Sequence, residues 1–188
     1  MTTAQQIVLA SRPNGGPRPE NFRLEDFNLP EADEGEVTIR VLYLSLDPYM
    51  RGRMSDAKSY AAPVPIDGVM EGETICEVLK SRHNDFSPGD IVRGRTGWRT
   101  MAVLKGGGLR HVETHGAPLT TAVGALGMPG FTAWSGLKFI GKPKEGDTVA
   151  VAAASGPVGS MVGQLAKLWG AQAVGIAGGA DKCAYVKD

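Results

Sequence analysis

A strand, a glycine-rich turn, a helix and a second strand follow one another in the last third of the chain, and this order constrains the fold more than any other feature. Residues 148–153 form an apolar run of strand length, as a parallel strand covered on both faces requires. Apolar side chains then recur at helical spacing over residues 158–169, and Gly170 provides a stop signal. Residues 173–177 form the next strand. The sequence therefore predicts a βαβ unit.

The turn between the first strand and the helix is a variant of the glycine-rich dinucleotide-binding fingerprint. Gly156 would let the backbone approach a pyrophosphate, and Gly159 would let the helix pack closely on the strand. Pro157 falls near the first helical position, where a missing N–H costs nothing. The helix N-terminus would offer its free N–H groups to phosphates. The residues expected to bind a dinucleotide are Ser155, Gly156, Pro157, Val158 and Gly159. The alternative is a strand–helix turn without a ligand.

The end of the second strand indicates which dinucleotide would bind. A carboxylate that holds a ribose 2′-hydroxyl is expected about 20 residues past the first glycine of the fingerprint. Gly178 and Gly179 occupy that place, and Lys182 follows them. A lysine without a carboxylate suits a 2′-phosphate, so we expect NADP(H) rather than NAD. The alternatives are a surface role for Lys182 and a helix N-cap role for Asp181.

The first part of the chain has a different pattern, in which short β-type runs alternate with turns rich in proline and glycine. The predicted strands are residues 6–10, 36–44, 73–79 and 91–93. This pattern is typical of a barrel or a sandwich. We therefore expect a β-rich domain over residues 1–125, and a domain that contains the βαβ unit over residues 126–188.

Composition excludes several classes of function. Twenty basic residues balance twenty acidic ones, so no net field attracts nucleic acid or an acidic membrane surface. No apolar run approaches the roughly 20 residues that cross a bilayer, and the first six residues have neither the basic flank nor the long apolar stretch of a signal peptide. We expect a cytoplasmic protein. Cys76 and Cys183 are too few for a disulfide framework, and we expect two reduced, partly buried thiols.

A zinc site is not expected. Catalytic zinc needs three converging Cys, His or acidic side chains, and a structural site needs four closely spaced cysteines. The chain offers two isolated cysteines together with His83, His111 and His115, which stand among polar turn residues. The chemistry is therefore expected to proceed without a metal.

Three ordered motifs resemble those of a known family. They are Leu44-Ser45-Leu46-Asp47-Pro48-Tyr49-Met50-Arg51-Gly52-Arg53-Met54, Leu126-Gly127-Met128-Pro129-Gly130-Phe131-Thr132-Ala133 and Ala153-Ala154-Ser155-Gly156-Pro157-Val158-Gly159. The chain is similar over essentially its whole length to the zinc-free medium-chain reductases, and among them to the NADPH-dependent alkenal, curcumin and prostaglandin reductases. The resemblance implies a β-rich GroES-like domain followed by the start of an α/β Rossmann domain. It also implies reduction of the double bond of α,β-unsaturated aldehydes and ketones.

Members of that family continue well past position 188. We therefore expect the chain to be the N-terminal portion of a longer enzyme that is active in its full-length form and inactive as this portion alone. A second substrate-facing tyrosine and most nicotinamide contacts would lie further along, and the resemblance leaves a homodimer open for the full-length form. Glu71 stands where a neutral residue is expected in the family.

Tyr49 is the side chain expected to act on the substrate. A phenol can donate a hydrogen bond to a carbonyl oxygen and supply a proton, and the preceding Asp47-Pro48 predicts a rigid turn that aims it. Tyr43 and Tyr60 are weaker candidates. A packing role is the alternative for Tyr49. The apolar pocket candidates are Met54, Met128 and Phe131, together with Trp98, and a core role is the alternative for each of them.

Two other functions fit the same residues. A quinone reductase is the alternative within enzymes, and a non-enzymatic NADP-binding protein on the same fold is the alternative outside them. Tyr49 distinguishes the last of these, because a protein that only binds NADP needs no donor aimed at a substrate.

Overall fold

The computed structural model describes residues 2–187, which form two compact units. The first unit ends at Glu113 and the second begins at Thr114, whereas the sequence places the domain boundary between residues 125 and 126. The intervening segment contains a 3₁₀ helix, Leu119–Val123, and its backbone leads into the first helix of the second unit. The N–H of Gly130 donates to the carbonyl of Gly124 at 3.1 Å. This bond joins the segment to that helix.

The first unit consists of antiparallel sheets. Its strands are β1 (Thr2–Leu9), β2 (Phe22–Leu29), β3 (Glu36–Leu44), β4 (Thr74–Ser81), β5 (Ile91–Gly94), β6 (Met101–Lys105) and β7 (Arg110–His111). Strands β1 and β2 pair with each other, and the other five form one sheet in the order β6-β3-β4-β5-β7. Two isolated bridges, Gln6 to Arg99 and Val8 to Val69, connect β1 to segments that flank the larger sheet.

The larger sheet buries one apolar cluster. Alternate residues of β3 and β4 face it, as the two-residue period of a strand requires. Its buried members are Val37, Ile39, Cys76, Val78, Phe86, Val92, Ala102 and Leu109. This cluster fixes the register of β3, because a slip by one residue would turn these side chains away from it.

A second cluster lies beside a short helix, α1 (Tyr49–Arg53). Its buried members are Leu9, Met50, Met54, Val64 and Met70, and Phe22, Tyr49 and Trp98 pack against them. The sequence predicts a rigid turn here, and the structure has one turn of helix that follows Pro48. The φ of Pro48 is −57°, a value that suits the start of a helix.

The second unit contains the predicted βαβ pattern. Its elements are α2 (Met128–Ser135), a π-helical segment (Gly136–Gly141), β8 (Thr148–Ala152), α3 (Pro157–Leu168), β9 (Gln172–Ile176) and α4 (Ala180–Lys187). Strands β8 and β9 are parallel and in continuous register, from Thr148 opposite Gln172 to Ala152 opposite Ile176. Helix α3 connects them and buries Ala166.

Sequence reasoning missed several strands and helices, which are β2, β6, β7, α1, α2 and α4. Strand β2 alternates half-buried and exposed positions with many charged side chains, so its own sequence has little apolar signal. It is a strand because it pairs with β1 along its whole length. Over residues 2–187, no helix has both the length and the apolar character needed to cross a membrane.

Candidate functional site

Tyr49 lies at the first position of α1 and is half-buried against the second cluster. Its side chain lines a cavity of about 350 Å³ within the first unit. The other residues that line it are Val69, Met70, Glu71, Gly72, Arg95, Thr96, Gly97 and Arg99. The predicted phenol therefore lies at the wall of a cavity that also contains charged side chains.

Two glycines allow the chain segments that form this cavity to approach each other. Gly97 has a φ of +70°, and a Cβ there would lie 2.5 Å from the carbonyl oxygen of Met70. A Cβ at Gly72 would lie 2.5 Å from Cδ1 of Leu44. The N–H of Trp98 donates to the carbonyl of Met70 at 2.8 Å. At Gly97 the wall is thus built by backbone segments in direct contact, which only glycine permits, whereas the close neighbour of Gly72 is the flexible end of a leucine side chain.

The surroundings of Tyr49 favour the protonated form of its hydroxyl. Burial raises the pKa of Tyr49 above its ordinary value of 10.0, and the negative charge of Asp47 raises it further. The positive charge of Arg95 acts in the opposite direction. A protonated phenol is a hydrogen-bond donor, so Tyr49 has the form needed to donate to a carbonyl oxygen.

Arg53 supports the same wall from inside the unit. Its side chain is buried, its Nε lies 3.2 Å from Oε2 of Glu71, and its Nη1 donates to the carbonyl of Ala61 at 3.1 Å. The guanidinium lies 5.8 Å from the ring centroid of Tyr49 and 4.7 Å from that of Tyr60. Arg53 therefore links α1, the segment around Ala61 and the cavity residue Glu71.

Two buried polar atoms near the cavity have no hydrogen-bond partner among the described residues. They are Oδ2 of Asp47 and Nε1 of Trp98. The Trp98 ring stacks on Phe22 with the centroids 5.4 Å apart, so packing holds this indole in place. Burial is the main reason that the pKa of Tyr49 is raised, and the negative charge of Asp47 adds to it.

The second candidate site is the glycine turn between β8 and α3. Pro157 is the first residue of α3, and Gly156 precedes it in an extended conformation with no side chain capping the helix. The first N–H groups of α3 have no partner within the helix, as at any helix N-terminus. A Cβ at Gly159 would lie 2.8 Å from Cα of Ala154 and would also contact the carbonyl oxygen of Ala153. The turn therefore presents an uncapped helix end that packs tightly on the preceding loop.

Lys182 lies in the first turns of α4 and is exposed. The helix begins directly after Gly178 and Gly179, and Gly179 has a φ of +85°. The expected end-of-strand carboxylate is absent from these two positions. Asp181 lies inside the first turn of α4, which begins at Ala180, and is therefore two residues past the N-cap position considered from the sequence.

The apolar candidates lie in different surroundings. Met54 is buried in the second cluster and does not line the cavity, so its place corresponds to the core role. Met128 and Phe131 lie on α2 in the second unit and are 39% and 65% exposed. Ser155 and Val158 are half-buried in the glycine turn.

The two cysteines differ in exposure, since Cys76 is buried and Cys183 is exposed. Burial raises the pKa of Cys76 to about 11, and its Sγ donates to Oγ1 of Thr74 at 3.2 Å. Cys183 is exposed on α4, whereas the sequence predicts a partly buried thiol.

The histidines His83 and His111 both pack against the ring of Phe86. Within residues 2–187, no three His, Cys, Asp or Glu side chains converge as a metal site would require.

Sequence reasoning missed Arg95 and Arg99 as cavity residues. Both follow β5 in a segment that closes on Met70 through the positive φ of Gly97. In the sequence, the two arginines stand on either side of a glycine and a tryptophan. This pattern does not show which way the arginine side chains point, so it could not place them at the cavity without the fold.

A family model described as the N-terminal domain of oxidoreductase matches residues 5–112. The chain is 53% identical over 181 residues to the NADPH-dependent curcumin reductase of Escherichia coli (strain K12). The matched region covers 96% of this chain and 52% of the relative. It is 40% identical over 190 residues to prostaglandin reductase 1 of Rattus norvegicus. That matched region covers 100% of this chain and 56% of the relative. The chain thus spans about half the length of the curated relatives it matches.

The chain is also similar to a solved structure, CurA from Vibrio vulnificus in complex with NADPH. The TM-score is 0.92 at 54% sequence identity, over 98% of this chain and 55% of that chain. These matches and the strand order confirm the predicted architecture, a β-rich GroES-like domain followed by the start of an α/β Rossmann domain.

Proposed function

Because the chain belongs to the oxidoreductase family whose N-terminal domain matches residues 5–112, we propose that the whole protein reduces the carbon–carbon double bond of α,β-unsaturated aldehydes and ketones with NADPH. The names of two relatives, a curcumin reductase and a prostaglandin reductase, support a reductase of small molecules. The observation that carries the proposal is the half-buried phenol of Tyr49 at the wall of the 350 Å³ cavity.

The glycine turn fits the proposed cofactor. Its backbone would accept no side chain at Gly159, and the N-terminus of α3 has no capping side chain to compete with a phosphate. Ser155, Gly156, Pro157, Val158 and Gly159 would hold the pyrophosphate, and Lys182 would pair with the 2′-phosphate. NADPH, when bound, supplies a hydride to the substrate.

Tyr49 would act at the carbonyl oxygen. Reduction of an enone places negative charge on that oxygen, and a donor already in position stabilises the charge without reorganisation. The phenol is protonated at neutral pH even at its ordinary pKa of 10.0, and burial raises that pKa, so it can donate a hydrogen bond to the oxygen. The enolate left after hydride addition gains a proton at its α-carbon to complete the reduction, and the Tyr49 hydroxyl would supply that proton. The cavity volume lies in the range that small-molecule sites occupy, roughly 300–1,000 Å³.

The experiment is a substrate panel of alkenals, enones and quinones, with NADPH oxidation by the whole protein as the readout. Turnover of alkenals and enones in preference to quinones supports the proposal. A preference for quinones would make the protein a quinone reductase, and no turnover with any of these substrates, together with NADPH binding, would make it a binding protein.

The matched variants are Tyr49→Phe and Tyr43→Phe. Each removes one hydroxyl, but Tyr43 lies on β3 and does not line the cavity. Loss of a general acid lowers the rate by about 10²-fold or more. We therefore expect Tyr49→Phe to lower kcat for enones by about 10²-fold and Tyr43→Phe to leave it unchanged. Equal kcat values in the two variants would remove Tyr49 from the mechanism.

A further inference from the structure

The helix α1, which carries Tyr49, is too short to fix its own orientation. It has five residues, and no side chain caps its N-terminus. A helix of this length is unstable without outside contacts, because few backbone bonds form within it. Met50 and Met54 pack in the second cluster, but apolar contact is non-directional. Directional contacts with neighbouring segments are therefore needed to fix how the helix is rotated about its axis.

Arg51 connects α1 to the loop of residues 10–21 that joins β1 to β2, which we call the β1–β2 loop. Its Nη2 donates to the carbonyl of Gly15 at 2.9 Å and to that of Pro13 at 3.3 Å, and its Nε donates to the Gly15 carbonyl at 3.2 Å. Gly15 has a φ of +78°, in the left-handed region that favours glycine. One rigid guanidinium thus binds two carbonyls of the loop.

Arg12 makes the opposite connection, from the β1–β2 loop to the end of α1. Its Nη1 donates to the carbonyl of Met54, the residue that follows the helix, at 3.0 Å. Its Nη2 donates to the carbonyl of Val64 at 3.2 Å. The Asp56 carboxylate lies 4.0 Å from Nε of Arg12 and is mostly exposed, so it adds little. The helix and the loop are therefore joined by one arginine from each side, and both arginines bind backbone carbonyls.

The β1–β2 loop is itself fixed at its base. Asn21 is buried, its Nδ2 donates to Oγ of Ser11 at 2.9 Å, and its Oδ1 accepts from the N–H of Arg18 at 2.8 Å. The carbonyl of Asn21 accepts from the N–H of Ala10 at 2.8 Å. Because these bonds join the two ends of the loop, its carbonyls give Arg51 a fixed support.

The helical period places this support on the side of α1 away from the phenol. Residues two positions apart point about 200° apart around a helix, so Arg51 projects from the side opposite to Tyr49. Tyr49 lines the cavity, whereas Arg12 and Arg51 do not. A rotation of α1 that breaks the contacts of Arg51 with the loop therefore also moves the phenol at the cavity.

We infer that Arg12 and Arg51 are positioning residues for Tyr49, which fix the rotation of α1 against the β1–β2 loop and thereby the place of the phenol at the cavity. The inference rests on the proposed function, because it assigns to two residues the placement of the hydrogen-bond donor in that reaction. A displacement of about 1 Å can lower a rate by about 10²-fold, so we expect a partial displacement of the phenol to lower it by about tenfold.

The first experiment is a double-mutant cycle on the whole protein, with NADPH and an enone as substrates. Arg51→Gln removes the paired donors, and Tyr49→Phe removes the hydroxyl. We expect Arg51→Gln to lower kcat about tenfold with little change in KM, because the phenol acts on charge that develops in the transition state. In the Tyr49→Phe background, Arg51→Gln should lower kcat less than about twofold, since no hydroxyl is left to displace. An equal loss of kcat in both backgrounds would overturn the inference.

Arg12→Gln tests the other half of the connection, and Arg18→Gln is the matched control. Arg18 lies on the same loop, but its side chain is 75% exposed and pairs with Glu20 at 3.9 Å. We expect Arg12→Gln to lower kcat as Arg51→Gln does and Arg18→Gln to leave it unchanged. Circular dichroism gives the folded fraction of each variant at the assay temperature. A fall in kcat that only follows the folded fraction would overturn the inference.

A spectroscopic measurement on the whole protein separates the inference from the proposed function. Incorporated 3-fluorotyrosine gives a fluorine resonance for each tyrosine, and Tyr49→Phe identifies the one that belongs to Tyr49. We expect this resonance to move in Arg51→Gln and in Arg12→Gln and to stay in place in Arg18→Gln.

The two failures have different signatures. If the Tyr49 resonance moves in the arginine variants but Tyr49→Phe keeps the wild-type kcat, the proposed role of Tyr49 in the reaction fails and its positioning by the arginines stands. If Tyr49→Phe lowers kcat but the resonance does not move in either arginine variant, the inference fails while the proposed function stands.

Discussion

Nε of Arg53 lies 3.2 Å from Oε2 of Glu71, and the arginine is buried while the glutamate is half exposed. Removing the carboxylate leaves a buried cation with fewer partners, which is costly, but the exposure of Glu71 reduces the effect. We expect Glu71→Gln to lower the free energy of unfolding by about 1–2 kcal/mol. Urea unfolding of the purified chain measures it.

The control for this pair is Arg40→Ala. Arg40 pairs with Glu77 across β3 and β4, but its side chain is exposed. Exposed pairs contribute about 0–1 kcal/mol, so the control should change little. Equal losses for Glu71→Gln and Arg40→Ala would show that burial of Arg53 has no energetic consequence.

We expect the buried thiol of Cys76 to cause a loss of stability at alkaline pH. The pKa of its thiol is raised from 9.0 to about 11, so the unfolded chain releases this proton at lower pH than the folded chain does. The contribution is fully present below pH 9 and is lost as the pH rises toward 11. The loss is at most about 3 kcal/mol. Between pH 9 and 11 the free energy of unfolding should fall less steeply in Cys76→Ala than in the wild type.

The same burial predicts a difference in thiol reactivity. Cys183 is exposed and should react with a disulfide reagent in the folded chain, whereas Cys76 should react only after unfolding. Titration should therefore count one fast thiol before denaturation and a second one after it, and Cys183→Ser should abolish the fast thiol. Fast reaction of both thiols in the folded chain would contradict the burial of Cys76.

Gly159 and Gly163 form a matched pair on α3. A Cβ at Gly159 would lie 2.8 Å from Cα of Ala154, whereas a Cβ at Gly163 would meet no atom within 4 Å. We expect Gly159→Ala to destabilise the chain by about 1–3 kcal/mol and to weaken NADPH at least tenfold. Gly163→Ala should stabilise it by about 0.5–1 kcal/mol, because a helical glycine is replaced by a better helix former. Thermal unfolding and NADPH fluorescence titration measure both effects.

We expect Lys182 to determine the preference for NADPH over NADH. A charge-assisted contact with the 2′-phosphate contributes roughly 1.5–3 kcal/mol, so Lys182→Ala should weaken NADPH by about ten- to a hundredfold and leave NADH nearly unchanged. Lys187→Ala, at the other end of the same exposed helix, is the control. Equal losses for NADPH and NADH in Lys182→Ala would mean that Lys182 does not read the 2′-phosphate.

The sequence by itself was sufficient for the elements whose signal is local. The apolar run of β8, the glycine turn and the helical period of α3 lie next to one another in the chain, so their order predicted the parallel pair observed from Thr148 to Ile176. Three motifs in the right order were likewise enough to predict the family that the match over residues 5–112 confirms. The role of Tyr49 in the reaction stays a prediction from its own motif.

The tertiary structure decided what depends on residues distant in sequence. Strand β2 is polar and becomes a strand only by pairing with β1. Met54 resembles a pocket residue in sequence, yet the neighbouring apolar side chains of Leu9, Val64 and Met70 bury it in a core. Both outcomes depend on packing partners rather than on local pattern.

The charges at the cavity show the same distinction. Arg53 ends the short helix α1 and Arg95 follows β5, but one pairs with Glu71 and the other meets no carboxylate within 4.0 Å among the described residues. A sequence reports the number and sign of charges, whereas the energy of each charge depends on its burial and on the distance to its partner. Only the fold therefore distinguishes the buried arginine that pairs with Glu71 from the exposed arginine at the cavity.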